Sequence, residues 1–198
     1  LSQFNNASNA SAATITLSNT AGVALDLNNL NLSVGSLSGG GATGGNVILG
    51  TGTLTVGNAS STSFAGVISG TGSLVKAGNG TLTLSGANSF SGNVSVNAGV
   101  LKLGAVGAAT GQGANGNAGV LGAYNSAATK VQVASGATLD LNGFGDTNYG
   151  LTIAGAGAAG QGGALVNNGA SIGATLMQTP NITLSADATL GGTGNLYM

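Results

Sequence analysis

The sequence predicts an all-β fold, a right-handed parallel β-helix (β-solenoid) with roughly 19–20 residues per rung, from three observations. Apolar and polar residues alternate in short runs, Gly, Asn and Ser clusters punctuate those runs, and one segment repeats itself at an offset of twenty. No stretch shows helical periodicity.

Composition narrows the field of functions before any motif is read. Of 198 residues, 39 are Gly, three are Lys and four are Asp, with no Glu, Arg, His, Cys or Trp and a net charge of −1. That charge supplies no electrostatic footprint for nucleic acid or an anionic membrane surface. Without Cys there is no disulfide framework, no thiolate nucleophile and no structural zinc site. Disorder is excluded as well, because mean hydropathy is +0.36 and Pro occurs once, whereas disordered chains are apolar-poor and Pro-rich. No apolar run reaches the length of a membrane-spanning helix, and seven aromatics are too few for the girdles of a membrane barrel.

Strands are predicted in order at Thr14-Ile-Thr-Leu17, Val23-Ala-Leu-Asp-Leu27, Leu30-Asn-Leu-Ser-Val34, Gly52-Thr-Leu-Thr-Val56, Thr81-Leu-Thr-Leu84, Val94-Ser-Val96, Val100-Leu-Lys-Leu103, Lys130-Val-Gln-Val133, Thr138-Leu-Asp-Leu141 and Ile182-Thr-Leu184. Each alternates with period two, which places every second residue on an inner face. Corners fall on clusters such as Ala77-Gly-Asn-Gly80 and Ser135-Gly-Ala137, where Gly supplies positive φ. Two stretches, 39–45 and 104–128, carry no continuous apolar stripe and read as loops or excursions.

The repeat sets the architecture. Val47-Ile-Leu-Gly-Thr-Gly-Thr-Leu54 aligns without a gap on Val67-Ile-Ser-Gly-Thr-Gly-Ser-Leu74. Leu82 to Leu101 is a spacing of nineteen, Leu74 to Val94 one of twenty, and Leu101 to Leu139 thirty-eight, which reads as two turns. Three short strands and three corners fill one such rung. Stacked rungs bond backbone to backbone and fill the interior with Leu, Val and Ile. Thr81, Thr83 and Lys102 then point outward. Like charges would stack directly above one another in such ladders, which favours a nearly uncharged coil.

Residues 64–104 carry a resemblance. The run Phe64-Ala-Gly-Val-Ile-Ser-Gly-Thr-Gly-Ser-Leu-Val-Lys76, then Gly78-Asn-Gly-Thr-Leu-Thr-Leu-Ser-Gly86, Asn88-Ser-Phe-Ser-Gly92 and Asn97-Ala-Gly-Val-Leu-Lys-Leu-Gly104, closely resembles the autotransporter-associated β-strand repeat, also called the passenger-associated transport repeat. Related segments lie within 135–190, including Ser135-Gly-Ala-Thr-Leu-Asp-Leu-Asn-Gly-Phe144. The resemblance implies one β-helix segment over residues 1–198, part of a longer passenger or adhesin stalk on the outer surface of a Gram-negative bacterium. It implies scaffold, with no catalytic, cofactor-binding or metal-binding residue. The repeat positions it marks as fold-defining are Phe64, Gly66, Gly70, Gly72, Leu74, Gly80, Leu82, Leu84, Gly86, Phe90, Gly92, Leu101, Leu103, Leu139 and Leu141.

Motifs suggesting chemistry are weak. Gly155-Ala-Gly-Ala-Ala-Gly160 fits a dinucleotide-binding pattern after a strand at Leu151-Thr-Ile153, but Gln161-Gly-Gly163 and another strand follow where a helix is required, so it reads as a Gly-rich corner. Asp26 and Asp140 share the context Leu-Asp-Leu-Asn, each between two inward Leu residues, and are expected to point outward, solvated, at a strand centre, while Asp146 and Asp187 fall in loop and turn segments. Polysaccharide cleavage on an outer face would need paired carboxylates, and these four look unclustered. Thr-x-Thr pairs, as at Thr14-Ile-Thr16 and Thr81-Leu-Thr83, read as β-branched residues on an outward face rather than an ice-binding array.

The ends bear on partners. Leu1 is preceded by no Met or signal peptide, so the protein is expected to be mature, trimmed or partial. Gly192-Thr-Gly-Asn-Leu-Tyr-Met198 aligns on Gly70-Thr-Gly-Ser-Leu-Val-Lys76, and an uncapped rung exposes donors and acceptors that template further strands. The expected partners are further repeats of the same polypeptide, or identical copies stacked end to end into a filament. A surface glycan or host receptor is a further expected partner; nucleic acid and a membrane span in this segment are not.

Overall fold

A computed structural model describes residues 13–104, 119–123, 130–144, 150–169, 174–175 and 182–197. The described residues form strands and turns with no helix, coiled as a parallel β-solenoid. The strands lie on three faces, two of which run through the whole described stack. The first is an eight-stranded sheet in chain order: Thr14–Leu17, Ser36–Gly39, Thr62–Phe64, Thr81–Leu84, Gly99–Leu103, Ala137–Asp140, Leu165–Asn167 and Leu190–Gly192. The second has seven strands: Leu32–Val34, Thr53–Val56, Ser73–Lys76, Val94–Val96, Val131–Val133, Leu151–Gly155 and Ile182–Ala188. The third is shorter, with Ala24–Asp26, Asn46–Ile48 and Ile68–Ser69, and later the separate pair Ala174–Thr175 and Leu196–Tyr197.

Period-two alternation puts every second residue into the interior, and parallel stacking aligns those residues into columns. On the first face Leu82, Leu101, Leu139 and Leu165 stack in register, with Leu84 over Leu103 beside them. On the second, Leu32, Leu54, Leu74, Val94, Val131 and Leu151 form one column. Nearly all of these are under 3% exposed, so the core is one continuous cluster along the coil. Phe64 and Phe90 are completely buried in it.

The predicted pairings Leu54 on Leu74, Leu82 on Leu101 and Leu74 on Val94 are the observed ones. Other readings need correction. Leu101 pairs directly with Leu139, so the thirty-eight residues between them form one turn enlarged by an excursion, not two turns. The described part of that excursion, 119–123, is buried: Asn88 bridges Gly119, and Val120 and Leu121 enter the core beside the coil. A segment read as lacking an apolar stripe thus contributes two core residues, too few for periodicity to reveal.

The gapless alignment also fails locally. Val47 pairs with Ile68 rather than Val67, so the third face runs at twenty-one while Leu54 and Leu74 keep twenty; the corner between them absorbs the residue. At the far end, Gly192 closes a first-face strand and Leu196 stacks on Ala174, whereas Gly70 follows a third-face strand and Leu74 lies on the second face. The matching Gly-Thr-Gly motifs therefore occupy different corners. Corner chemistry recurs wherever the backbone turns, so a short Gly-rich match does not identify which corner.

Candidate functional site

Glycine columns seat the rungs. Gly52, Gly72 and Gly92 lie at one corner in successive turns, and a Cβ on Gly72 or Gly92 would overlap the carbonyl oxygen of the glycine below. Gly45, Gly66 and Gly86 form a second such column, and Gly80 sits against the Ser60 carbonyl in the same way. Of the glycines marked in sequence, only Gly70 needs positive φ (116°). Close backbone approach, rather than left-handed geometry, is why the others are glycine.

Two of the three lysines are internal. Lys76 occupies the inward column Val56, Lys76, Val96, Val133 and Ile153 and is 2% exposed. Its Nζ donates to the carbonyls of Ala77 (2.6 Å), Gly78 (2.7 Å) and Ala98 (3.2 Å), joining one corner to the next turn. Desolvation lowers its pKa from the usual 10.5 to about 8. Lys130 is completely buried, donates to the carbonyls of Gly92 and Phe90, and lies 4.7 Å from the Phe90 ring centroid. The signal for Lys76 is legible: with Leu74 inward, period two sends Lys76 inward too.

The outer surface of the first face has two regions. At its beginning the outward groups are hydroxyls stacked by register: Thr14 with Ser36 (3.0 Å) and Thr16 with Ser38 (2.8 Å). Ser63 and Thr83 continue the pattern. Further on, Thr83, Lys102, Asp140 and Val166 form one column. Lys102 is a third exposed, as expected of an outward residue, and its Nζ is 3.7 Å from Asp140 Oδ2.

Asp140 itself departs from expectation: it points outward yet is 3% exposed, and like Asp26 it ends its strand rather than occupying the centre. The Gly-rich segment 155–163 folds across this surface. There Thr138 Oγ1 donates to Gly163 O (2.8 Å) and accepts from Ala158 N (2.9 Å), and no helix follows. Two residues on, Asp140 accepts hydrogen bonds from the backbone N–H of Asn142 (2.9 Å) and of Asn168 (3.1 Å), and from the Asn168 side-chain amide (3.3 Å). Asp26 makes the same local turn, accepting from Asn28 N at 2.8 Å, but its face is uncovered and it stays exposed. Asp187, expected in a turn, lies in the strand Ile182–Ala188 and is exposed, and Asp146 lies outside the described residues. Among the described residues no group of three or more His, Cys, Asp or Glu converges as a metal site would require.

Chemically, this arrangement binds rung to rung. Asn residues extend it: the Asn46 amide oxygen accepts from Val67 N, that of Asn31 from Thr53 N, and buried Asn88 both accepts from Ile68 N and donates to Val120 O.

Comparison with known proteins finds similarity over part of the sequence. Residues 74–103 match the family model described as the passenger-associated transport repeat. Over 92 residues the protein is 53% identical to the adhesin BmaC autotransporter of Brucella suis biovar 1 (strain 1330), covering 44% of this protein and 3% of that one. It therefore spans a small fraction of the relative's length. No solved structure matches it significantly.

Proposed function

We propose that the protein is a segment of an autotransporter passenger and serves as a non-catalytic, surface-exposed scaffold that gives an exported bacterial passenger its length and rigidity. The observation that carries the reading is that the matched segment, 74–103, stacks in continuous register at a spacing of nineteen to twenty residues. There every inward residue of the strands is buried, and Lys76 ties adjacent turns through backbone carbonyls. Stacked rungs bonded along the whole length resist bending and proteolysis, and exposed residues can vary without disturbing the core.

Outer-surface presentation on a Gram-negative cell, with a glycan or host receptor as partner, is the finer form of this proposal. It is tested in the parent protein. Excision of one complete turn within 62–103 is expected to leave the passenger at the cell surface, shortened and still protease-resistant. Loss of adhesion on substitution of Asp26 or Lys102, with surface level unchanged, would show instead that the segment contacts a ligand directly. Release of reducing sugar from a glycan by the purified protein, abolished by Asp140→Asn, would overturn the scaffold reading.

We also propose that another turn of the same coil covers the final described rung. Leu184 (60% exposed) continues the buried column of Val133 and Ile153, and Leu190 (38% exposed) that of Leu139 and Leu165. Extending the polypeptide along the parent sequence should protect both residues. Protection arising instead from concentration-dependent association would identify a second copy as the cover.

A further inference from the structure

The sequence contains four Asn-Gly pairs, at Asn79-Gly80, Asn115-Gly116, Asn142-Gly143 and Asn168-Gly169, the third and fourth in adjacent turns. In such a pair the glycine nitrogen can attack the carbonyl carbon of the Asn carboxamide. A new N–C bond closes a succinimide, the carboxamide's own C–N bond breaks, and its nitrogen leaves as ammonia. Water then opens either ring carbonyl to give Asp or its isoaspartyl isomer. One water is consumed and one ammonia released, with no other reactant. The reaction needs a glycine N–H not held by a strong acceptor and an Asn carboxamide reachable by water.

The fold treats the described pairs differently. Gly80 is buried and its N–H donates to Asn58 O at 2.9 Å. Gly143 is buried and its N–H donates to Asn167 Oδ1 at 2.6 Å, while Asn142 Nδ2 donates to Leu103 O at 2.9 Å. Gly169 shares that same Asn167 oxygen from 3.3 Å, the long end of hydrogen-bond range. Asn168 is exposed, and among the described residues its Nδ2 donates to Asp140 Oδ2 at 3.3 Å and Gln161 Oε1 at 3.4 Å. The Asn115-Gly116 pair lies outside the described residues.

We propose that Asn168 is a spontaneous modification site, converted through a succinimide with Gly169 to aspartate or isoaspartate, and that the conversion loosens the joint between its rung and the one carrying Asp140. The amide that donates to Asp140 becomes a second carboxylate beside it, so a hydrogen bond is replaced by like-charge repulsion. Lys102, on the far side of Asp140, is the one cation paired there among the described residues.

The test is incubation of the folded protein at alkaline pH, followed by peptide mass mapping and isoaspartyl-specific methylation. Asn168 is expected to convert at least about fivefold faster than Asn79 or Asn142, the equivalent of one ordinary hydrogen bond. In concentrated urea the three rates should converge. Equal rates in the folded protein, or an unchanged ordering in urea, would overturn the assignment. Asn168→Gln should abolish the signal at this position, and Asn168→Asp should lower the melting temperature; a variant melting like the wild type would refute the loosening.

Discussion

At the scale of single residues, the few polar groups inside this coil matter more than their number suggests. Lys76 gives a signed pH prediction. Unfolded, the lysine holds its proton up to about pH 10.5; folded, it releases it near 8, so between these values the unfolded state binds more protons and stability rises with pH. The gain should approach about 2–3 kcal/mol by pH 10 and vanish in Lys76→Met, as read by urea denaturation at pH 7 and pH 10. Asp140 and Asp26 make the same turn in different surroundings. Asp140→Ala leaves the N–H groups of Asn142 and Asn168 without the acceptor that a buried carboxylate supplies and should cost about 1–3 kcal/mol. Asp26→Ala, at an exposed turn, should change the denaturation midpoint far less. Thr152 offers the opposite case. Its hydroxyl oxygen is buried without a partner among the described residues, so Thr152→Val should leave stability unchanged or raise it in the same assay.

At the scale of elements, the rung is the unit, and each strand is too short to persist alone. Strand positions are readable because alternation survives in three or four residues. Thr14–Leu17, Thr81–Leu84 and Val94–Val96 run where the pattern places them. Ser36–Gly39, Asn46–Ile48 and Ile68–Ser69 carry too little alternation to be recognised individually, and their neighbours in the stack define them. Leu74 lies in a fully buried column between Leu54 and Val94, so Leu74→Ala should cost about 3–5 kcal/mol. Leu190→Ala, on the last and half-uncovered rung, should cost much less, and thermal unfolding of the pair would show the difference. At the corners, Gly72→Ala would drive a methyl into the Gly52 carbonyl. That variant should open the corner and raise amide exchange in the adjacent strands.

The whole molecule is a one-dimensional stack in which each rung contacts only its neighbours, so protection should be graded along it. Amide exchange is expected to be slowest across the strands between Thr62 and Leu103 and fastest in Ile182–Ala188, where Leu184 is 60% exposed. A uniform exchange profile would contradict this picture. Sequence by itself determined the class of fold, the central period and the inward columns, because stacking identical backbone geometry forces the same residue types to recur at the same spacing. It determined the local turn at each Leu-Asp-Leu-Asn motif as well, since an Asp carboxylate reaching the N–H two residues on is purely local: Asn28 and Asn142 share a φ of 49°. Only the tertiary structure decided that one of these aspartates is buried and the other exposed, that thirty-eight residues make a single turn, and that Val120 and Leu121 re-enter the core. Each of these depends on what a distant segment lays over the coil, and neither alternation nor spacing records a contact between residues far apart in sequence.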